Sequence, residues 1–121
     1  MFAIFVSLDR LDKRLLETSW DLGATTKHAG VAMVRQMAAD HAPDNIRFNA
    51  LCPGFVNTPF NAAFETQMGG RAALEGYVAT SIPMGRWAQV GEIADTIEFL
   101  ASERSSFIPG QALVIDGGGC I

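Results

Sequence analysis

Few side chains in this sequence combine a reactive type with a useful position. The best placed is Lys27, in "WDLGATTKHAG" (20–30), where an apolar helical period begins. A lysine is a compact positive charge, and a cation beside a weak acid favours the deprotonated form of that acid. The acid is what the neighbourhood lacks. One helical turn upstream stands Gly23, which has no side chain and no proton to give. The chain's single tyrosine, Tyr77, lies far downstream. Read alone, Lys27 is a solvated lysine at a helix start, since charged side chains are mostly exposed.

A second stretch with chemical potential is "CPGFVNTPF" (52–60). It follows an apolar run and so reads as a loop at the carboxyl end of a strand, where open α/β sheets bind ligands. Without further context Pro53-Gly54 is an ordinary turn. Two cysteines, Cys52 and Cys120, are too few for a disulfide framework or a zinc site and read as free thiols. "MGG" (68–70) and "DGGG" (116–119) lack the strand-to-helix setting in which a glycine-rich turn cradles phosphate. No metal site is expected.

Elements must position these residues. A helix is predicted over 24–42, with a stripe of Val31, Val34, Met37 and Ala38 widened by Ala29, Ala32 and Met33. So wide a stripe predicts burial on two sides. Pro43 stops it. "IRFNAL" (46–51) reads as a buried strand, and residues 59–76 as a loop-like segment with scattered helical potential. A further helix is predicted over 90–102, on Ile93, Ile97 and Leu100, and a last strand over Ala112–Ile115. Helices alternating with strands predict parallel pairing through right-handed crossovers. Nearer the N-terminus, "FAIFV" (2–6) reads either as a short buried strand or as an apolar end of no special role. Residues 7–18 show helical spacing, with Ser7 as a possible N-cap. The expected fold is α/β: a small parallel sheet of two or three strands with flanking helices.

At 121 residues, 49% hydrophobic and 18% charged, the chain suits one domain with a packed core and not a disordered segment. A net charge of −4 without any run of Lys or Arg argues against a nucleic-acid partner. "MFAIFV" is too short for a secretory segment or a membrane span, so a cytoplasmic protein with no membrane partner is expected.

Three stretches, "ATTKHAGVAMVRQMAADHAPDNIRFNALCPGFVNTPF", "IPMGRWAQVGEIADTIEFLAS" and "FIPGQALVIDGG", stand in this order. Together they resemble the C-terminal half of the short-chain dehydrogenases/reductases. The resemblance divides the chain into a divergent segment, 1–23, and a part of a Rossmann-type domain, 24–121. It implies an NAD- or NADP-dependent oxidoreductase acting on an alcohol or carbonyl. By position, Lys27 corresponds to the family lysine that binds the nicotinamide ribose and lowers the pKa of the catalytic tyrosine. Such lowering is needed because a phenol with a pKa near 10 exchanges protons poorly at neutral pH. The resemblance further implies that Pro53 and Gly54 let the backbone approach the nicotinamide. The backbone at Val56 would contact its carboxamide, and the Thr58 hydroxyl would bond the carboxamide or a phosphate. Asn49 and Asp116 match as structural residues that tie loops by side-chain hydrogen bonds. Residues 59–76 correspond to the family's substrate lid, with Phe60, Phe64, Met68 and Tyr77 as an apolar wall. The family builds subunit interfaces from the lysine helix and from the last helix and strand. That implies a homo-oligomer or association with another subunit of the family.

The departures are equally specific. The family tyrosine falls at Gly23, and Ser7 lies further from that position than the family serine does. The TGxxxGxG phosphate turn, the residue that selects NAD or NADP, and the NNAG segment do not occur in this sequence. The match stops abruptly before Ala24, as expected of a truncated member. The resulting expectation is an oxidoreductase by family that is inactive as this chain. The alternative is a non-catalytic oligomerisation or interaction module.

Overall fold

Strand β2 (Arg47–Pro53) organises the fold. In the computed structural model, which describes residues 3–7 and 20–120 with side chains from Lys27 onward, it is the middle strand of a parallel sheet. Its neighbours are β1 (Ala3–Ser7) and β3 (Ala112–Ile115). β1 runs in register from Ala3 beside Arg47 to Ser7 beside Leu51, and β3 from Ala112 beside Ala50 to Ile115 beside Pro53. The fold is the expected α/β arrangement with a small parallel sheet. Pairing with β2 settles the ambiguous N-terminal stretch as a strand, of which Ser7 is the last residue. The rest of the helix expected over 7–18 lies outside the described residues.

Helix α1 (Trp20–His41) starts four residues before the predicted Ala24 and contains Gly23. A glycine inside a helix costs about 1 kcal/mol relative to alanine, which tertiary packing readily offsets. A 3₁₀ turn (Ala42–Asp44) ends at Asn45, whose left-handed φ of 58° reverses the chain into β2. Val34 and Ala38 pack on Phe48 and Ala50, with Val31, Met37, Ile46 and Ala112 around them. The two-sided burial expected of α1 is not what the fold provides. Ala29, Ala32 and Met33 are exposed, because among the described residues only the sheet covers this helix.

Successive strand residues point to opposite faces. Phe48 and Ala50 face α1, so Arg47, Asn49 and Leu51 face away from it. Buried Arg47 donates to the carbonyls of Leu100 (2.8 Å) and Ser102 (3.2 Å) and to the Ser105 hydroxyl (2.8 Å), at the carboxyl end of α4 (Val90–Ala101). That end of α4 therefore lies on the face opposite α1. Strand order still steps in one direction, β1 to β2 to β3. Two crossovers on opposite faces with one step direction have opposite hands, so only one is the right-handed kind expected for both. The right-handed preference comes from a twisted strand feeding a helix that packs straight back. The connection after β2 instead passes through two further helices before α4, α2 (Ala62–Gln67) and α3 (Arg71–Ser81), and is not so constrained.

The start of α4 is a capping box: Glu92 accepts from the Gln89 backbone N–H at 2.8 Å, and the Gln89 side chain accepts in return. Arg86 grips the same carboxylate with two bonds of 2.8 Å. The Arg86 guanidinium first, and the Gln89 N–H second, hold the Glu92 carboxyl down to about 2 from an ordinary 4.5. A depressed carboxyl contributes stability above its unfolded pKa and loses it as pH falls through the folded value. The protein is therefore expected to lose stability progressively between about pH 4.5 and pH 2. Glu92→Gln should flatten that part of a melting-temperature profile. An unchanged profile in the variant would refute the assignment.

Candidate functional site

The carboxyl ends of the three strands share one end of the sheet, and the loop that leaves β2 is built there. Gly54 donates to the Ile115 carbonyl (2.9 Å), stitching the loop to β3. A Cβ on Gly54 would stand 2.7 Å from the Asp116 Cβ and 2.9 Å from its Cα. The glycine is thus demanded by the close approach of two backbones after β2 and β3. The nicotinamide approach that suggested it in the sequence is a separate matter. Pro53 is buried and ends the strand opposite Ile115.

Residues 55–57 then form a short parallel bridge with Ala88. Ala88 donates to the Phe55 carbonyl and accepts from the Asn57 N–H, both at 2.9 Å. In a parallel pair the residue bracketed by its partner's bonds turns its own N–H and C=O the other way. Val56 therefore presents its amide edge away from Ala88, where its carbonyl accepts from the Asn61 side chain at 2.6 Å. Thr58 is half-buried and leads into a 3₁₀ turn (Pro59–Asn61) without making a side-chain cap. The loop offers a backbone amide edge and a hydroxyl two residues apart.

Lys27 approaches the same end from α1. Val34 packs beside Phe48 and Ala50. Lys27 lies about 10 Å from Val34 along the helix, at 1.5 Å per residue. Pro53 lies about 10 Å beyond Ala50 along the strand, at about 3.3 Å per residue. Helix and strand run antiparallel because a tight turn joins them, so the two residues come to the same level. Lys27 is half-buried. Gly23 lies one turn further along the helix, and Ser7 ends β1 beside Leu51 at this edge.

The expected lid segment forms α2 and α3, and its helical part continues past Gly76 to Ser81. Phe64, Met68 and Tyr77 pack with Phe55 on a small core of Leu74, Val78, Ile82 and Trp87. They are committed to that core and do not form a free wall. Phe60 alone of the four stays largely exposed, at 84%. Asn49 and Asp116 tie loops as expected: Asn49 bonds the Ile108 carbonyl (2.8 Å) and the Gln111 N–H (2.9 Å), and Asp116 accepts from the Gly118 N–H (3.0 Å). Burial raises the Cys52 thiol pKa, which disfavours the reactive thiolate. Among the described residues no group of His, Cys, Asp and Glu could hold a metal ion, and no helix is long and apolar enough to cross a membrane.

The sequence profile described as enoyl-(acyl carrier protein) reductase matches residues 6–119. The chain belongs to the short-chain dehydrogenase/reductase family. Among curated members, it is 46% identical over 94 residues to short-chain dehydrogenase anuF of Penicillium roqueforti, covering 78% of this chain and 33% of that protein. It is 37% identical over 100 residues to oxidoreductase UcpA of Escherichia coli, covering 81% and 38%. The chain thus spans about a third of the length of the curated family members it matches. A solved gluconate 5-dehydrogenase from Burkholderia cenocepacia, in complex with NADP and tartrate, superposes with a TM-score of 0.79 at 32% identity, over 97% of this chain and 44% of that one. A 3-oxoacyl-[acyl-carrier protein] reductase from Brucella melitensis superposes with a TM-score of 0.69 at 34% identity, over 79% and 34%.

Two features of this chain were hidden in its sequence. Arg47, inside an apolar run, gave no sign of its role at the end of α4, because its partners lie more than fifty residues away. Arg71, described below, was equally silent. Its only local signal is Glu75, four residues on.

Proposed function

We propose that the loop 53–58 and Lys27 bind the nicotinamide end of NAD or NADP, as part of an oxidoreductase that acts on an alcohol or carbonyl. The observation that carries this reading is the convergence of the lysine-bearing part of α1 and the turned-out amide edge of Val56 at one end of the sheet. A nicotinamide carboxamide needs one donor and one acceptor in a plane, and a peptide edge beside a hydroxyl suits it. Lys27 would hold the ribose hydroxyls, Val56 and Thr58 the carboxamide, while Pro53 and Gly54 set the floor. When bound, the cofactor supplies or accepts a hydride. This chain's own residues would orient the ring and exclude water on one side. NADP and NADH occur in solved structures of relatives, which supports a dinucleotide as the ligand.

Residues 24–121 are read as the C-terminal half of the Rossmann-type domain. The proton donor is what they lack. With Gly23 one turn from Lys27, nothing at the family's tyrosine position can protonate a carbonyl, and loss of an acid commonly costs two to four orders of magnitude (about 10²–10⁴-fold). The chain alone is therefore read as inactive. An amide correlation spectrum with NADH or NADPH tests the binding. The expected result is shifts confined to residues near Lys27 and 53–58, weakened at least about tenfold in Lys27→Ala. Spectra blind to both cofactors would overturn the proposal. Self-association through β3 and α4 is the second reading, favoured by Val114, 54% exposed on the edge strand β3, and by exposed Ile97. Light scattering that finds only monomer at high concentration would reject it.

A further inference from the structure

We infer that Arg71 is a positioning residue, latching a flap of residues 59–68 against the loop 56–58 across a Gly69-Gly70 hinge. Its functional meaning rests on the cofactor-loop reading above; the latch itself rests on contacts. α3 is an anchor: Leu74 and Val78 are fully buried. α2 has only six residues, none fully buried, and it rests on the α3 core through the partly buried Phe64 and Met68 and on the loop through the Asn61 bond to Val56. Between them, Gly69 and Gly70 take φ values of 88° and 114°, and an added Cβ at either would meet nothing within 4 Å. Packing does not require these glycines; the backbone conformation does. Two adjacent residues of that kind, between a helix with no fully buried residue and one anchored by two, make a hinge.

Arg71 follows the hinge directly and bridges it. Its guanidinium bonds Glu65 on α2 (2.7 Å), Glu75 on α3 (2.7 Å) and the Asn57 side chain (3.0 Å), and lies 4.3 Å over the buried Trp87 ring. One planar fork thus joins the flap, its anchor, the loop and the segment before α4. Exposed ion pairs usually contribute little, but a network with short, directed bonds is the case in which they count. The stacked ring adds a cation–π contact. Asn57 lies between Val56 and Thr58, so the latch sets where those two residues are held and how much of their edge the flap leaves open.

Site-resolved amide hydrogen exchange on the full chain tests this. In Arg71→Met, the amides of Met68, Gly69 and Gly70, which bond carbonyls on α2, should exchange roughly tenfold faster. Those of Gly54 and Ile82, bonded to β3 and α3, should stay within about twofold. Arg71→Lys keeps the charge without the fork and should fall between. Glu65→Ala cuts only the flap's bond and should accelerate the flap alone, which keeps the test open if Arg71→Met folds poorly. Added salt should speed flap exchange in the native sequence and leave Arg71→Met unchanged. Unchanged flap amides would overturn the latch, and so would equal acceleration at Gly54 and Ile82, which would mark Arg71 as a general stabiliser. Exchange is read without cofactor, so a chain that ignores NADH yet shows local acceleration rejects the nicotinamide reading and keeps the latch.

Discussion

Arg47→Met is expected to lower unfolding stability by about 2–4 kcal/mol, from hydrogen bonds to a charged group worth about 1.5–3 kcal/mol each. Methionine fills a similar volume, so the loss isolates the guanidinium. Arg47 bonds the Leu100 and Ser102 carbonyls, at and just after the last turn of α4, where helical N–H donors run short. The Ser105 hydroxyl also reaches both carbonyls, at 2.9 and 3.0 Å, but it has one proton and serves one at a time. The Ser102 carbonyl also keeps the Ser105 N–H at 3.3 Å, so what the variant loses is the charge-assisted bonds themselves, not the last donor to a carbonyl. Helix ends also concentrate negative partial charge, which the cation offsets. The measurement is the urea midpoint at constant slope. A change below about 0.5 kcal/mol, the level of an ordinary surface substitution, would show that the end of α4 needs no cation. Salt should barely alter the result, because the group is buried.

Gly54→Ala is expected to cost about 2–3 kcal/mol, in the range of overpacked cores. The new methyl would lie 2.7 Å from the Asp116 Cβ and 2.9 Å from its Cα. Backbone atoms cannot rotate away as a side-chain tip can, so β3 or the loop must shift. The same shift would move Val56 and Thr58, so any cofactor-induced amide shifts should weaken together with stability. Gly76→Ala is the control: it lies in α3 with nothing within 4 Å of the added Cβ, and should stabilise by up to about 1 kcal/mol. If both alanines behave alike, the close approach of the two strand ends is not what demands glycine at 54.

The four central elements were legible because their signal is local. The spacing of Val31, Val34 and Ala38 dictates a helix, and that of Ile93, Ile97 and Leu100 another; "IRFNAL" between a proline turn and a Pro-Gly turn dictates a strand. As a place in the fold, the loop 53–58 was legible, since a Pro-Gly ends the strand; as a candidate site it was suggested only by the family resemblance. "FAIFV" was not decidable in isolation. Five apolar residues become a strand only when β2 offers its edge.

By itself, then, the sequence determined the α/β class, the elements α1, β2, α4 and β3, the family, and the absence of a proton donor at 23. All depend on residue types read within a few positions of each other. The tertiary structure decided the rest. It placed α1 and the end of α4 on opposite faces, which gives the two crossovers opposite hands. It assigned Arg47 to a helix end fifty-three residues away and Arg71 to four elements at once. It also gave Gly54 a reason, Asp116, that lies on another strand's end. Periodicity records which side of an element is apolar. It does not record which distant group will meet the polar side, because that partner is chosen only when the chain closes on itself.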